Sequence, residues 1–221
     1  MESINFDKVA VTSLDKENSE FSGLITIDGD KLVIETGPIK LTSYGIPSLN
    51  HYHPTDNDRK VLKMPLDNEQ IQLKNFLGRA DSFFGSSQFK VKLFGKEADQ
   101  HEYYPLVRKP DLAEHFGITA DRTKPIPDYC KIHFATNING DISTIVKEKG
   151  VDINAKTISD VEKLVQWLST SIYKICFKKI WTSEYSGKKR YGITLEMLEI
   201  DVLHKIQRTP LNIQDIVFVD E

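Results

Sequence analysis

The chain has 221 residues, 39% hydrophobic and 28% charged, with a net charge of -3, a composition that supports a folded core and excludes a disordered polyelectrolyte. A mildly acidic total also excludes coating of duplex DNA through bulk basicity, while leaving room for a local basic surface. There is no apolar run of about 18 residues to span a membrane, the start MESINFDKVAVTSLDKE lacks the pattern of a secretory signal, and two cysteines are too few for a disulfide framework, so a reducing, intracellular setting is expected.

In chain order, GLITIDGDKLVIETGPIKLTS alternates apolar residues on both sides of Asp28-Gly29-Asp30, and the Asp-Gly step predicts a tight hairpin. A further strand is predicted over 38–42. YGIPSLNHYHPTDNDRK reads as a long exposed loop, and VLKMPL as a short strand. His51 and His53 in that loop, with Asp56 and Asp58, are metal-ligating types. Two histidines without a third ligand at a fixed spacing point to an ordinary polar loop, and no metal or cofactor is expected.

Residues 67–84 carry apolar side chains at helical spacing, with Asp67 and Gln70 as a capping pair and Gly85 as the stop. QFKVKLF alternates, which predicts a half-buried strand with Lys90 and Lys92 outward. HEYYPLVRKP sets Tyr103 and Tyr104 close to Arg108 and Lys109. CKIHFAT predicts a strand with Cys130, Ile132 and Phe134 inward, and a second helix is predicted from Ser159 through VEKLVQWLST.

The stretch SIYKICFKKIWTSEYSGKKRYG, 171–192, holds Lys174, Lys178, Lys179, Lys188, Lys189 and Arg190 among Tyr173, Phe177, Trp181, Tyr185 and Tyr191, with Glu184 as its one acid. It predicts a two-strand ribbon turning at Ser186-Gly187. On a strand Tyr173, Ile175, Phe177, Lys179 and Trp181 share one face. Cations for phosphates beside aromatics for unpaired bases suit a single-stranded nucleic acid. The competing readings are a solvated lysine face over buried aromatics, and a basic surface for an acidic protein partner. The sequence has no GxxxxGK[ST], GxSxG, HExxH or CxxC pattern, and Cys130 and His133 fall on opposite faces of a strand, so no catalysis is expected.

The succession GPIKLTSYGIP, YHPTDNDRK, KLFGKEADQHEYYPLVRKP and ICFKKIWTSEYSGKKRYGITLEML resembles the single-stranded DNA-binding proteins of large nucleocytoplasmic DNA viruses, of the African swine fever virus type. The resemblance implies a mainly β fold with inserted helices, an oligonucleotide-binding antiparallel barrel, in a single domain over 1–221 that ends in a short acidic stretch, 215–221. It implies a non-enzymatic protein that coats exposed strands during viral DNA replication, repair or recombination, in the host cytoplasm or a viral factory. The expected partners are single-stranded DNA or RNA, replication proteins and further copies of the chain, with no membrane. The face so implied draws on Lys90, Lys92, Tyr103, Tyr104, Arg108 and Lys109, together with Tyr173, Lys174, Lys178, Lys179, Trp181, Tyr185, Lys188, Lys189, Arg190 and Tyr191.

Overall fold

The computed structural model describes residues 4–12, 14–17, 20–110, 126–185 and 187–205; Ser186 and the acidic end 215–221 lie outside them. The strands are β1 (Val9–Val11), β2 (Asp15–Glu17), β3 (Glu20–Ile27), β4 (Asp30–Lys31), β5 (Val33–Glu35), β6 (Ile39–Lys40) and β7 (Val61–Leu66). Helices α1 (Ile71–Phe84) and α2 (Ser87–Phe94) follow, then β8 (His101–Tyr104), β9 (Asp128–Phe134), β10 (Ile145–Glu148) and β11 (Val151–Ile153). The short helix α3 (Ile158–Glu162) precedes the two long strands β12 (Thr170–Tyr185) and β13 (Lys188–His204).

The fold is mainly β with inserted helices, as the sequence predicts. Among the described residues the strands form one sheet ordered β1-β3-β12-β13-β10-β11, with the remaining strands pairing off this path. The order does not return on itself, so the sheet is not a closed barrel. Nor is it purely antiparallel: β8, β9 and β10 all run parallel to β13. Each is separated from β13 by a long connection, which permits parallel pairing where a hairpin does not. Among the described residues no helix is long and apolar enough to cross a membrane.

The hairpin between β3 and β4 turns at Asp28 and Gly29, both at positive φ (51° and 91°), the geometry an Asp-Gly pair adopts most readily. Helix α1 buries Leu73, Phe76, Leu77, Ala80 and Phe84 against the sheet, with the Phe76 and Phe84 rings 6.0 Å and 6.4 Å from Phe177. Gly85 caps it as predicted, while Asp67 caps a preceding 3-10 turn by accepting from the Glu69 amide instead of forming a box with Gln70.

Two elements depart from the sequence reading. QFKVKLF is helical, because the Ser86 hydroxyl accepts from the Phe89 amide and starts a helix; of its alternating apolar residues only Phe89 is buried. The second helix is five residues long and is capped by Thr157, which exchanges hydrogen bonds with Asp160. The long loop before β7 is anchored by Arg59, fully buried, whose guanidinium reaches Asp56, Ser159, Glu162 and the Pro47 carbonyl. Asp56 is committed to Arg59 and Ser159, and Asp58 to Thr55, so both carboxylates of the His51–Asp58 stretch have structural work in the loop.

Candidate nucleic-acid interface

The face of β12 and β13 turned to α1 is the core, containing Tyr173, Ile175, Phe177 and Ile180 on β12 and Tyr191, Ile193, Leu195 and Met197 on β13. The phase of β12 changes between Phe177, which faces Leu195, and Lys179, which faces Thr194. Lys178 is the extra residue of this β-bulge. One inserted residue moves everything beyond it to the other face. Ile180 therefore points inward and Trp181 outward, although both lie opposite to a strict alternation counted from Tyr173.

On the outer face Trp181 stands opposite Gly192 of β13. A Cβ placed on Gly192 would lie 2.6 Å from Trp181 Cζ2, so the indole rests against the glycine backbone and only glycine leaves room for it. Gly192 is in turn paired with Tyr104 of β8, whose exposed ring lies 6.1 Å from the Trp181 ring. The Arg108 guanidinium sits over the Tyr104 ring at 4.5 Å, a cation–π contact worth about 0.5–1 kcal/mol at an exposed site.

The loop carrying Tyr104 and Arg108 is fixed from below by Asp81 of α1. Its carboxylate accepts from the Tyr103 hydroxyl (2.8 Å) and from the amides of Leu106 (2.7 Å) and Val107 (3.0 Å). Burial raises the Asp81 pKa, opposed by the two amides, the phenol and the Arg108 charge.

Beyond Arg108 the sheet continues into β9 and β7, where Tyr129 is buried. The Arg108 backbone bridges to Tyr129 of β9, Tyr129 pairs with Pro65 and Lys131 with Lys63 across β9 and β7. The Tyr44 ring lies 4.9 Å from that of Tyr129, and Lys63 Nζ is 5.6 Å from the Tyr129 ring. His133, the next outward residue of β9, pairs with Glu196 and feels the charges of Arg108, Lys131 and Lys178.

The structure thus brings Tyr104, Arg108, Lys178, Lys179 and Trp181 to one face, with Lys178 ion-paired to Glu196. It does not bring the others. Tyr173 and Tyr191 are completely buried, and the Tyr191 hydroxyl donates to the Phe84 carbonyl, so neither ring is available for stacking. Tyr103 faces the core side and is bound to Asp81. Lys90 and Lys92 lie on α2, which packs through Phe89 on Phe84, and so stand on the helical side of the sheet, away from Trp181. Lys174 lies between Glu35 and Glu199. At the ribbon tip Lys189 pairs with Glu97 and Arg190 with Glu102, while Lys188 is exposed. Lys109 is exposed, and the side chain of Tyr185 is not among those described.

A cavity of about 300 Å³ beside the tip is lined by Phe94, Glu97, His101 and Glu184 among others. Two carboxylates in its wall make it a poor seat for phosphate. The sequence reading missed Tyr44, Lys63, Tyr129 and Lys131. The signal for them was slight: VLKMPL and DYCKIHF each place one lysine opposite a buried run, and only the register joins the two.

No family model matches the chain. A protein of Acanthamoeba polyphaga mimivirus, uncharacterised protein R505, is 22% identical over 258 residues, and the match covers 99% of this chain and 64% of that protein. Among solved structures, the single-stranded DNA-binding protein of bacteriophage Enc34 in complex with single-stranded DNA gives a TM-score of 0.36 at 12% identity, over 89% of this chain and 97% of that one. The same phage protein without DNA gives a TM-score of 0.35 at 11% identity, over 93% and 98%. Similarities of this size are too low to carry fold or activity from those proteins to this one.

Proposed function

We propose that this protein binds single-stranded DNA, without catalysis, through the outer face of the β12–β13 ribbon, and that it coats exposed strands during viral DNA replication, repair or recombination in the host cytoplasm or a viral factory. The observation that carries the reading is the array of Trp181, Tyr104 and Arg108 on a face that also carries Lys179, and Lys178 in an ion pair with Glu196. Solvent-facing aromatic rings cost free energy unless something covers them. Unpaired bases do so, at about 1–3 kcal/mol per stacked base, while the neighbouring cations meet phosphates. A duplex hides its base faces and offers only the second contribution.

The test is fluorescence anisotropy with labelled single-stranded DNA, matched duplex and single-stranded RNA. The expected result is preference for single strands over duplex, with affinity falling at a log–log salt slope near about -3.5 if about five phosphates are neutralised. Trp181→Ala should weaken single-strand binding about tenfold or more. Equal binding of duplex and single strands, or no effect of Trp181→Ala, would overturn the reading and leave the face to an acidic protein partner.

A further inference from the structure

We propose that the cavity beside the ribbon tip binds the guanidinium of an arginine presented by a partner protein, on the side of the sheet opposite to the Trp181 array. The inference goes beyond single-strand binding and gives the chain a second partner, held at the same time as the first.

The cavity measures about 300 Å³, and its wall includes Leu14, Phe94, Glu97, His101, Glu184 and Lys189. That is the lower end of the range of small-ligand sites, about 300–1,000 Å³, and suits one long side chain. Its side of the sheet follows from the strand period. Residues 181–185 of β12 pair with β13 in unbroken register, so Glu184, three residues beyond Trp181, faces the opposite side.

Donors and acceptors in the wall do not balance. Lys189 Nζ donates to the Glu97 carboxylate at 2.8 Å, and this hydrogen bond, with the Lys189 charge, holds the Glu97 carboxyl below its ordinary range. Glu184 stands directly across the ribbon from Lys189. The ammonium is turned to Glu97 instead, and among the described residues Glu184 has no ion-pair partner.

His101 adds an acceptor that is buried and open to the cavity. The residue is 9% exposed, and the surface it keeps lines the cavity. Nδ1 lies 3.0 Å from the Glu97 carbonyl. A carbonyl can only accept, so Nδ1 carries the proton and Nε2 of the neutral ring presents a lone pair. Among the described residues nothing donates to Nε2. The ring is fixed by lying parallel on Phe94, 3.8 Å away with 1° between the planes.

With one cation for two carboxylates and an unpartnered imidazole nitrogen, the wall fits a ligand that donates hydrogen bonds and carries positive charge. A guanidinium meets these conditions better than an ammonium. Its planar fork can donate to Glu184 and to His101 Nε2 together, and it is more weakly hydrated, so less is lost when it leaves water. Its plane can lie on the Phe94 ring, with the methylene stem against Leu14.

The experiment is an amide NMR titration of the full chain with a short blocked peptide carrying one arginine, and with its lysine and citrulline counterparts. The arginine peptide should give saturable shifts at His101 and Glu184 with a dissociation constant of about 1 mM. The lysine peptide should bind about fivefold more weakly, and the uncharged citrulline peptide should not saturate. Glu184→Gln, a change at an exposed residue, should weaken the arginine peptide about fivefold and leave the rest of the spectrum in place, which shows that the variant is folded. Equal binding of the three peptides, no saturable shift at His101 and Glu184, or wild-type affinity of Glu184→Gln would overturn the site. Self-association of the wild type that Glu184→Gln abolishes would put the arginine on a second copy of the chain and overturn the separate partner. The peptide arms need no nucleic acid, so they stand whether or not the protein binds single strands. Displacement of the peptide by an oligothymidylate would overturn the placement on the opposite side of the sheet.

Discussion

The Trp181 indole occupies the space that a side chain at Gly192 would need: a Cβ there would approach Cζ2 to 2.6 Å and Cε2 to 2.9 Å, and the Tyr104 carbonyl to 3.1 Å. Gly192→Ala must therefore push the indole out of its seat or move β8. Overpacking of this kind costs about 1–3 kcal/mol, and the Trp181–Tyr104 geometry is lost with it. Urea unfolding should show a lower midpoint, and anisotropy a weaker affinity for single strands. An unchanged midpoint with unchanged affinity would show that the indole moves freely, and glycine would then have no special role there.

The ribbon tip carries the densest run of cations in the sequence, yet Lys189 lies 2.8 Å from Glu97 and Arg190 Nε 3.4 Å from Glu102. Exposed pairs such as these contribute little to stability, but they cancel charge where a phosphate would have to sit. Replacing Lys188, Lys189 and Arg190 together by alanine should weaken single-strand binding less than Arg108→Ala alone. The reverse order of effects would move the interface to the tip.

Asp81 supports the loop that presents Tyr104 and Arg108. Asp81→Ala leaves the Leu106 and Val107 amides and the Tyr103 hydroxyl without their acceptor, a loss of about 3 kcal/mol on the scale of unsatisfied buried donors. Asp81→Asn should cost less, since it retains one acceptor oxygen and removes a charge that burial penalises. The Asp81 pKa is raised by that burial. A carboxyl raised above its unfolded value contributes stability at pH below the unfolded pKa, and loses it as pH rises through the folded pKa. Asp81→Asn should abolish that component of the stability-against-pH curve, read as unfolding midpoints across the acid range. Parallel curves for the two proteins would count against it.

Arg59 has no exposed surface and binds Asp56, Ser159 and Glu162, the last at 2.7 Å. It joins the long loop to α3, about a hundred residues away in sequence. Arg59→Ala removes the buried hydrogen-bonding centre of the loop and leaves Asp56 and Glu162, both partly exposed, without their cation, and should cost about 2–3 kcal/mol. Arg59→Lys should recover only part, because an ammonium cannot replace the fork of the guanidinium. Single-strand affinity measured well below the unfolding temperature should be preserved. A large loss of affinity in a folded variant would instead bring this loop into the binding face.

Parts of β3, β5, β6, β7, β9, β12 and β13, the Asp-Gly hairpin, and the body and glycine stop of α1 are legible because each rests on a local cause: alternation, a turn dipeptide, helical spacing with a glycine cap. QFKVKLF was misread because seven residues of alternating character fit a strand as well as two helical turns, and the deciding feature was the Ser86 cap. The site was legible as composition and illegible as geometry. The bulge at Lys178 inverts the phase of β12, and no local pattern marks it, so Tyr173 and Trp181 fall on opposite faces despite sharing the even spacing of one. Tyr191 reads as an aromatic among cations, yet register places it beneath the sheet beside Phe94 and Tyr103. The approach of Lys131 to Lys63 depends on a pairing between segments more than sixty residues apart, which composition does not encode.

His133 gives the interface a proton-linked component. It stands on β9 between Val61 and Glu196. Desolvation of its ring, although the residue keeps an open edge, and then the charges of Arg108, Lys131 and Lys178 against the opposing Glu196, lower its pKa below the ordinary histidine value. The stability term follows from the sign of that shift: with the folded pKa depressed, the unfolded chain takes up the proton first, so stability falls as pH drops through about 6.5 toward the folded value. Binding has the opposite sign. A phosphate on this face favours the imidazolium and raises the pKa, so the complex takes up a proton and affinity increases as pH falls from about 7.5 to about 5.5. Anisotropy titrations across that range should show tighter binding at the acid end for the wild type and a flatter dependence for His133→Ala. Identical slopes for the two proteins would place His133 outside the path of the strand and narrow the interface to the Trp181, Tyr104 and Arg108 array.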